Sequence, residues 1–263
     1  MKTIYTTLPI YDAITKQAYQ RALKAGAHEA IFSVYCPQDN LPPFQWLDNG
    51  DGATSVSAIK LINDDGAETD ITGLLTIETH AITDDTYFLC DGALSSSITC
   101  GLGYLKITTN NAKVYYSDWF NACDVTNFLM FEIYNECDLG NILYHTGFTQ
   151  KAWIKSETME ITFPIEEEGV KNGEGRFIRT FARQTKKYSV KTIQMPSYMV
   201  DMFNRAIFHD NIFLTDTVGD INEVMNLEVA HEWFENDRYY ALITLTFDYD
   251  ETFVISGCCN NLV

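Results

Sequence analysis

Glu166-Glu167-Glu168 with Glu174, and Asn63-Asp64-Asp65-Gly66 upstream, are the residues here best suited by type to hold a cation or carry acid–base chemistry. Neither set has the Asp-x-Asp-x-Asp-Gly order of a calcium loop. Consecutive acids on a strand point to alternate faces and cannot converge on one ion. Both sets read better as solvated turns. The five histidines, His28, His80, His145, His209 and His231, show no HxxxH, HExxH or Cys-His spacing. In His231-Glu232-Trp233 the acid projects away from the imidazole if the segment is a strand. Ser95-Ser96-Ser97 lacks the glycines of a nucleophile elbow. Gly101-Leu-Gly103 and Gly173-Glu-Gly175 lack the lysine and following helix of a phosphate loop. The adjacent Cys258 and Cys259 have no zinc spacing, which leaves buried or incidental thiols. The chain therefore reads as a protein that is not an enzyme and holds neither cofactor nor metal.

One charge pattern stands out. Arg176, Arg179, Arg183, Lys186, Lys187 and Lys191 follow one another without an acid, in a chain of formal net charge −18. If this stretch is a strand, Arg179, Arg183 and Lys187 share a face with Phe177 and Phe181. Two readings stand: a docking strip for an acidic neighbour, most economically another copy of this subunit, or a solvated face balancing the Glu166–Glu174 hairpin. The overall acidity makes direct binding to nucleic acid unfavourable, because phosphates would be repelled. Upstream, Cys36-Pro-Gln-Asp-Asn-Leu-Pro-Pro-Phe-Gln-Trp46 is a proline-stiffened segment whose Leu41, Phe44 and Trp46 suit a partner contact. The alternative is that this segment packs on its own domain.

The elements that must position these residues are mostly strands. Lys106–Phe120 contains two β-type runs meeting at Asn110-Asn111, where Asn would tolerate the positive φ of a tight hairpin. Further strand-like runs are Val56–Ile62, Asp70–Glu78, Tyr87–Cys90 and Gly103–Thr108, each bounded by turn residues. In the second half the candidates are Asn127–Tyr134, Gln150–Lys155, Met159–Phe163, Phe177–Lys187, Asn211–Thr215, Glu223–Val229 and Arg238–Tyr249. Two helices are predicted. One runs over Asp12–Lys24 with Gly26 past its end, followed by a short strand at Ala30–Tyr35. The other starts at Pro196 and stops near His209, carrying Tyr198, Met199, Met202, Phe203, Ala206 and Ile207 at helical spacing.

The fold expectation is a mainly β protein of three parts. Residues 1–46 form an N-terminal arm, 47–120 a small immunoglobulin-like β-sandwich, and 121–263 a larger β module with one helix. Aromatics at 13% and hydrophobics at 46% supply enough apolar surface for sizeable cores. The N-terminal residues lack the apolar stretch of a secretory signal, and no run is long enough to span a membrane. Seven scattered cysteines fit synthesis in a reducing cytoplasm.

Several segments together resemble a known group. They are Leu41-Pro-Pro-Phe-Gln-Trp46, Asp70-Ile-Thr72, Gly103–Ile107, Tyr115–Phe120, Ile165-Glu-Glu-Glu-Gly, Asn172–Phe177, His209–Ile212 and Ser256-Gly-Cys-Cys-Asn260. Their texture is similar to that of structural proteins of tailed phages and prophages of gut anaerobic bacteria, the crAss-like group among them. The resemblance implies a virion component of the neck, tail or baseplate, with other copies of itself and neighbouring virion proteins as partners. It carries over no catalytic residues. A receptor- or glycan-binding module at the tail tip is the alternative, with Trp46, Trp119 or Trp233 stacking on sugar faces.

Overall fold

The computed structural model describes residues 6–12, 34–48, 52–82, 85–234 and 237–256. The protein is mainly β, with one α-helix among the described residues. In chain order the first strands are β1 (Ile10–Asp12), β2 (Val34–Cys36), β3 (Phe44–Asp48), β4 (Val56–Asn63) and β5 (Glu68–Asp70). Next come β6 (Glu78–Ile82), β7 (Asp85–Cys90), β8 (Gly101–Thr109), β9 (Val114–Ser117) and β10 (Phe120–Ala122). The second half adds β11 (Leu129–Tyr134), β12 (Gln150–Ile154), β13 (Ser156–Thr162), β14 (Ile165–Lys171) and β15 (Phe177–Thr192). After β16 (Met195–Pro196) the helix α1 spans Ser197–Ala206, and β17 (Asn211–Thr215), β18 (Ile221–Phe234) and β19 (Asp237–Ser256) follow. Most of the helix expected over Asp12–Lys24 lies outside the described residues; Asp12 itself ends β1.

Sixteen strands make one sheet, ordered β1-β9-β8-β10-β2-β12-β11-β17-β18-β19-β15-β13 along its main path. The join between its halves is β2, which runs parallel to β10 and meets β12 at Tyr35–Trp153. The sheet thus continues through the boundary expected at residues 120 and 121. One hydrophobic cluster continues with it, from Leu8, Trp46 and Ile107 to Phe131, Phe203 and Phe247. The hairpin at Asn110-Asn111 is present, pairing Lys106 with Tyr116, but the positive φ of 63° falls on Ala112. The run Asp70–Glu78, expected as a strand, is broken by a 3-10 turn at Thr72–Leu74, where Asp70 Oδ1 accepts from both the Thr72 N–H and hydroxyl.

In a second sheet, ordered β3-β7-β6, strand β3 is covered on both faces while β6 is largely exposed. Alternation sends Phe44, Trp46 and Phe88 to one face, where the Trp46 and Phe88 rings stack at 4.6 Å. Leu47 and Leu89 point the other way, against Ile142, Tyr144 and Phe148 of the second half. Gln45 anchors that contact by accepting from the Leu143 N–H at 3.0 Å. The buried Asp48 carboxylate is held on the opposite face by the Tyr115 hydroxyl at 2.5 Å, the Ala53 N–H at 3.0 Å and the Lys113 ammonium at 3.4 Å. Burial, and then the Asp48 carboxylate, raise the Tyr115 pKa well above the ordinary phenol value. The chain approaches itself closely where Leu41 enters: Gly92 has φ 85°, and a Cβ there would come within 1.9 Å of the Leu41 carbonyl oxygen.

Helix α1 begins after Pro196, whose φ of −65° suits a helix start. Its buried face, Tyr198, Met199, Met202, Phe203 and Ala206, recurs at helical spacing as expected, whereas Ile207, expected with them, caps the helix end and is exposed. Phe203 meets Phe131 edge-on at 5.5 Å, which seats the helix over the central strands.

Candidate assembly surfaces

Beyond the core, the sheet runs out into an arm. β13 pairs antiparallel with β15, setting Met159 across from Val190 and Ile161 across from Tyr188. The pairing breaks at Phe163-Pro164, and β14 continues along the rest of β15, with Ile165 across from Gln184. A turn over residues 172–176 returns it. Among the described residues, no strand pairs with the outer edge of β13 or β14.

An apolar row lies along this uncovered edge. Met159, Ile161 and Ile165 occupy alternate positions on the face that carries buried Tyr188 and Val190 further in. They are 45%, 43% and 58% exposed, and Phe163 between the two strands is 55% exposed. The row is visible in the sequence as Met-Glu-Ile-Thr-Phe-Pro-Ile, a strict alternation that marks a strand with one apolar face. Alternation does not say whether the layer covering that face belongs to the same chain.

The six cations of the expected strip do not form one surface. Arg176 sits at the tip of the turn, its N–H donating to Asn172 Oδ1 at 2.9 Å. A bulge opposite Glu168 and Gly169 shifts the register of β15 by one residue, so Arg179 lies across from Gly169 while Phe181 lies across from Glu168. Arg179 therefore faces Glu167, which it pairs at 2.5 Å, whereas Arg183 stands across from Glu166 on the other face. The expected shared face of Arg179 and Arg183 is corrected by that single extra residue. Lys186 lies over the Tyr188 ring, 5.1 Å from its centre. Lys187 stands across from Asp248, and Lys191 pairs with Glu157 at 3.4 Å. Carboxylates of the chain itself thus stand beside much of the strip.

Leu41, Phe44 and Trp46 are not a partner surface. All three are fully buried, because Trp46 lies between the Phe44, Phe88 and Tyr115 rings inside the chain's own core. Of the other tryptophans, Trp119 packs edge-on against Tyr104 at 4.8 Å, and Trp233 is 37% exposed beside His231.

A cavity of about 370 Å³ opens beside the end of α1, with Leu139, Ile142, Met202 and Phe208 among its apolar lining and Arg205 and His209 among its polar lining. Gln150 donates to the Tyr144 hydroxyl, which lies 2.7 Å from His209 Nε2. The other imidazole nitrogen donates to the Arg205 carbonyl at 3.0 Å, so Nε2 accepts from Tyr144. Burial lowers the His209 pKa below its ordinary value, which favours the neutral ring in this chain of hydrogen bonds.

Among the described residues, no group of three or more His, Cys, Asp or Glu side chains is placed to hold a metal ion, and no helix is long and apolar enough to cross a membrane. The five described cysteines are free, and burial pushes the Cys90 thiol up to about 12. Comparison with protein-family models, curated proteins and solved structures finds no match for the chain.

Proposed function

We propose that this chain is a structural, non-catalytic protein of a tailed-phage virion, assembling as repeated copies in the neck, tail or baseplate. The observation that carries the reading is the β13–β14 edge, which joins a row of exposed apolar side chains to a strand border that is unpaired among the described residues. A solitary soluble protein usually blunts such an edge or covers it, and a contiguous apolar row marks a contact surface. The resemblance of its segments to phage structural proteins is the ground for reading that contact as one within a virion, built from subunits made in the host cytoplasm. The glycan-binding alternative has less support, since Trp46 is buried and Trp119 is packed, leaving Trp233 alone.

Mass photometry over a concentration series, with negative-stain images of the largest species, tests the proposal. Rings or stacked sleeves that grow with concentration are expected, together with the chain's presence in purified virions. A strict monomer that is missing from virions defeats it.

A further inference from the structure

Three of the five described cysteines gather at one place, the end of the narrow seam that joins the halves of the large sheet. The seam consists of β10 and β2, three residues each, set between the nine-residue β8 and the five-residue β12. So short a ladder supplies few backbone hydrogen bonds, and a region held by few contacts opens at low free-energy cost. Cys36 ends β2 beside Ala122, and the next residue, Cys123, donates its N–H to the Cys36 carbonyl at 2.9 Å. On the other edge of β10, Ala122 lies across from Gly101, the first residue of β8. Carrying that antiparallel register one step outward sets Cys123 across from Cys100. Residues so paired have Cα atoms about 4.5–5.5 Å apart, within the span of about 4.4–6.8 Å that a disulfide bridges.

The three thiols differ in access. Cys100 is exposed, Cys123 is half-buried and Cys36 is fully buried. Burial raises the Cys36 pKa far above the ordinary thiol value, which leaves it without the thiolate that reacts. Burial also raises the Cys123 pKa, the charges of Cys100 and Asp124 add to that, and the Lys155 ammonium opposes it. Cys100 is therefore the thiol that meets an oxidant first, with Cys123 placed to take over from it.

We propose that Cys100 and Cys123 form a redox latch, closing into a cross-strand disulfide by exchange with a small-molecule disulfide of the glutathione class. The Cys100 thiolate attacks one sulfur of that molecule, forming a mixed disulfide and expelling the other half as a thiolate. The Cys123 thiolate then attacks the Cys100 sulfur, forming the Cys100–Cys123 bond and expelling the second half. The protein gives up two electrons and two protons, and the external disulfide is reduced to two thiols. The bond ties β8 to β10 at the end of the seam and links positions 23 apart, restricting the unfolded chain. The latch does not depend on assembly.

The full chain, reduced and then incubated with oxidised glutathione, tests the latch by alkylation of free thiols and peptide mass mapping. A peptide pair linked through Cys100 and Cys123 is expected, with the urea midpoint moved to higher urea and restored by dithiothreitol. Cys123→Ser should instead stop at a glutathione adduct on Cys100 with its midpoint unmoved, which controls for modification elsewhere in the chain. Cys123→Ala repeats that arm if the serine variant fails to fold. Cys100→Ser should leave Cys123 largely unmodified over the same interval. A parent chain that halts at the Cys100 adduct, or that joins Cys100 to any other cysteine, overturns the latch. A linked chain with an unmoved midpoint overturns its role as a staple of the seam.

Discussion

Strands β3 and β13 carry comparable apolar side chains and meet opposite fates. All five residues of β3 are buried, including Gln45 and Asp48, whereas every residue of β13 after Ser156 is exposed. The difference lies in what stacks on each. β3 has the Tyr115 strand over one face and the 139–148 segment over the other. Among the described residues, β13 has a sheet neighbour on one edge only. Burial in a β protein is thus decided by the layers above and below a strand, and an apolar side chain on an unlayered strand is available to another molecule.

The sharpest way to break this contrast is to empty the covered side. Trp46→Ala removes the ring that lies between Phe44, Phe88 and Tyr115, in a region covered from both faces. Loss of about 3–5 kcal/mol is expected from the cavity it leaves. Urea denaturation should show that drop, while Phe163→Ala on the arm should leave the midpoint close to the parent's. Equal losses at the two positions would mean that the arm is layered after all.

A smaller effect tests the polar side of the same contrast. Tyr115→Phe deletes the hydroxyl that donates to buried Asp48 and leaves its carboxylate to the Ala53 N–H and the Lys113 ammonium. A loss of about 1–3 kcal/mol is expected, the cost of an acceptor left short of donors away from water. Chemical denaturation of this variant, read beside Trp46→Ala, separates polar satisfaction from packing.

Much of this fold is legible in the residues. The α1 face is written in Tyr198, Met202, Phe203 and Ala206, and Asn110-Asn111 marks a hairpin that is present. What is not legible depends on distant partners. Leu41, Phe44 and Trp46 sit in a proline-rich stretch that suits an exposed edge, yet β7 and the Tyr115 strand close over it from as many as 69 positions away, the separation of Trp46 and Tyr115. The cation strip obeys strand alternation until one bulge residue turns Arg179 to the other face. Bulges follow local backbone geometry and partner spacing, which alternation cannot encode. The Met159–Ile165 row reads as an alternating strand, but whether another layer covers it leaves no trace in local sequence.

The smallest expected effect lies on the arm itself. Arg179 and Glu167 form a close pair at 2.5 Å, a shorter contact than that between Lys113 and Asp48 at 3.4 Å. Distance alone would rank the arm pair as the stronger. Exposure reverses the ranking: the arm's side chains are 51% and 35% exposed, while Asp48 is 1% exposed. Water screens the exposed pair and already solvates both charges, and holding two long side chains together costs entropy. Arg179→Ala should therefore shift the urea midpoint by no more than about 0.5 kcal/mol equivalent, and that small shift should shrink further as salt is raised. A loss comparable to that of Tyr115→Phe would mean that the arm's ions are shielded from water, as they would be if a neighbouring copy covered this face. Repeating the measurement below and above the assembly concentration separates the two states: insensitivity in the monomer with sensitivity in the oligomer would place Arg179 within the interface.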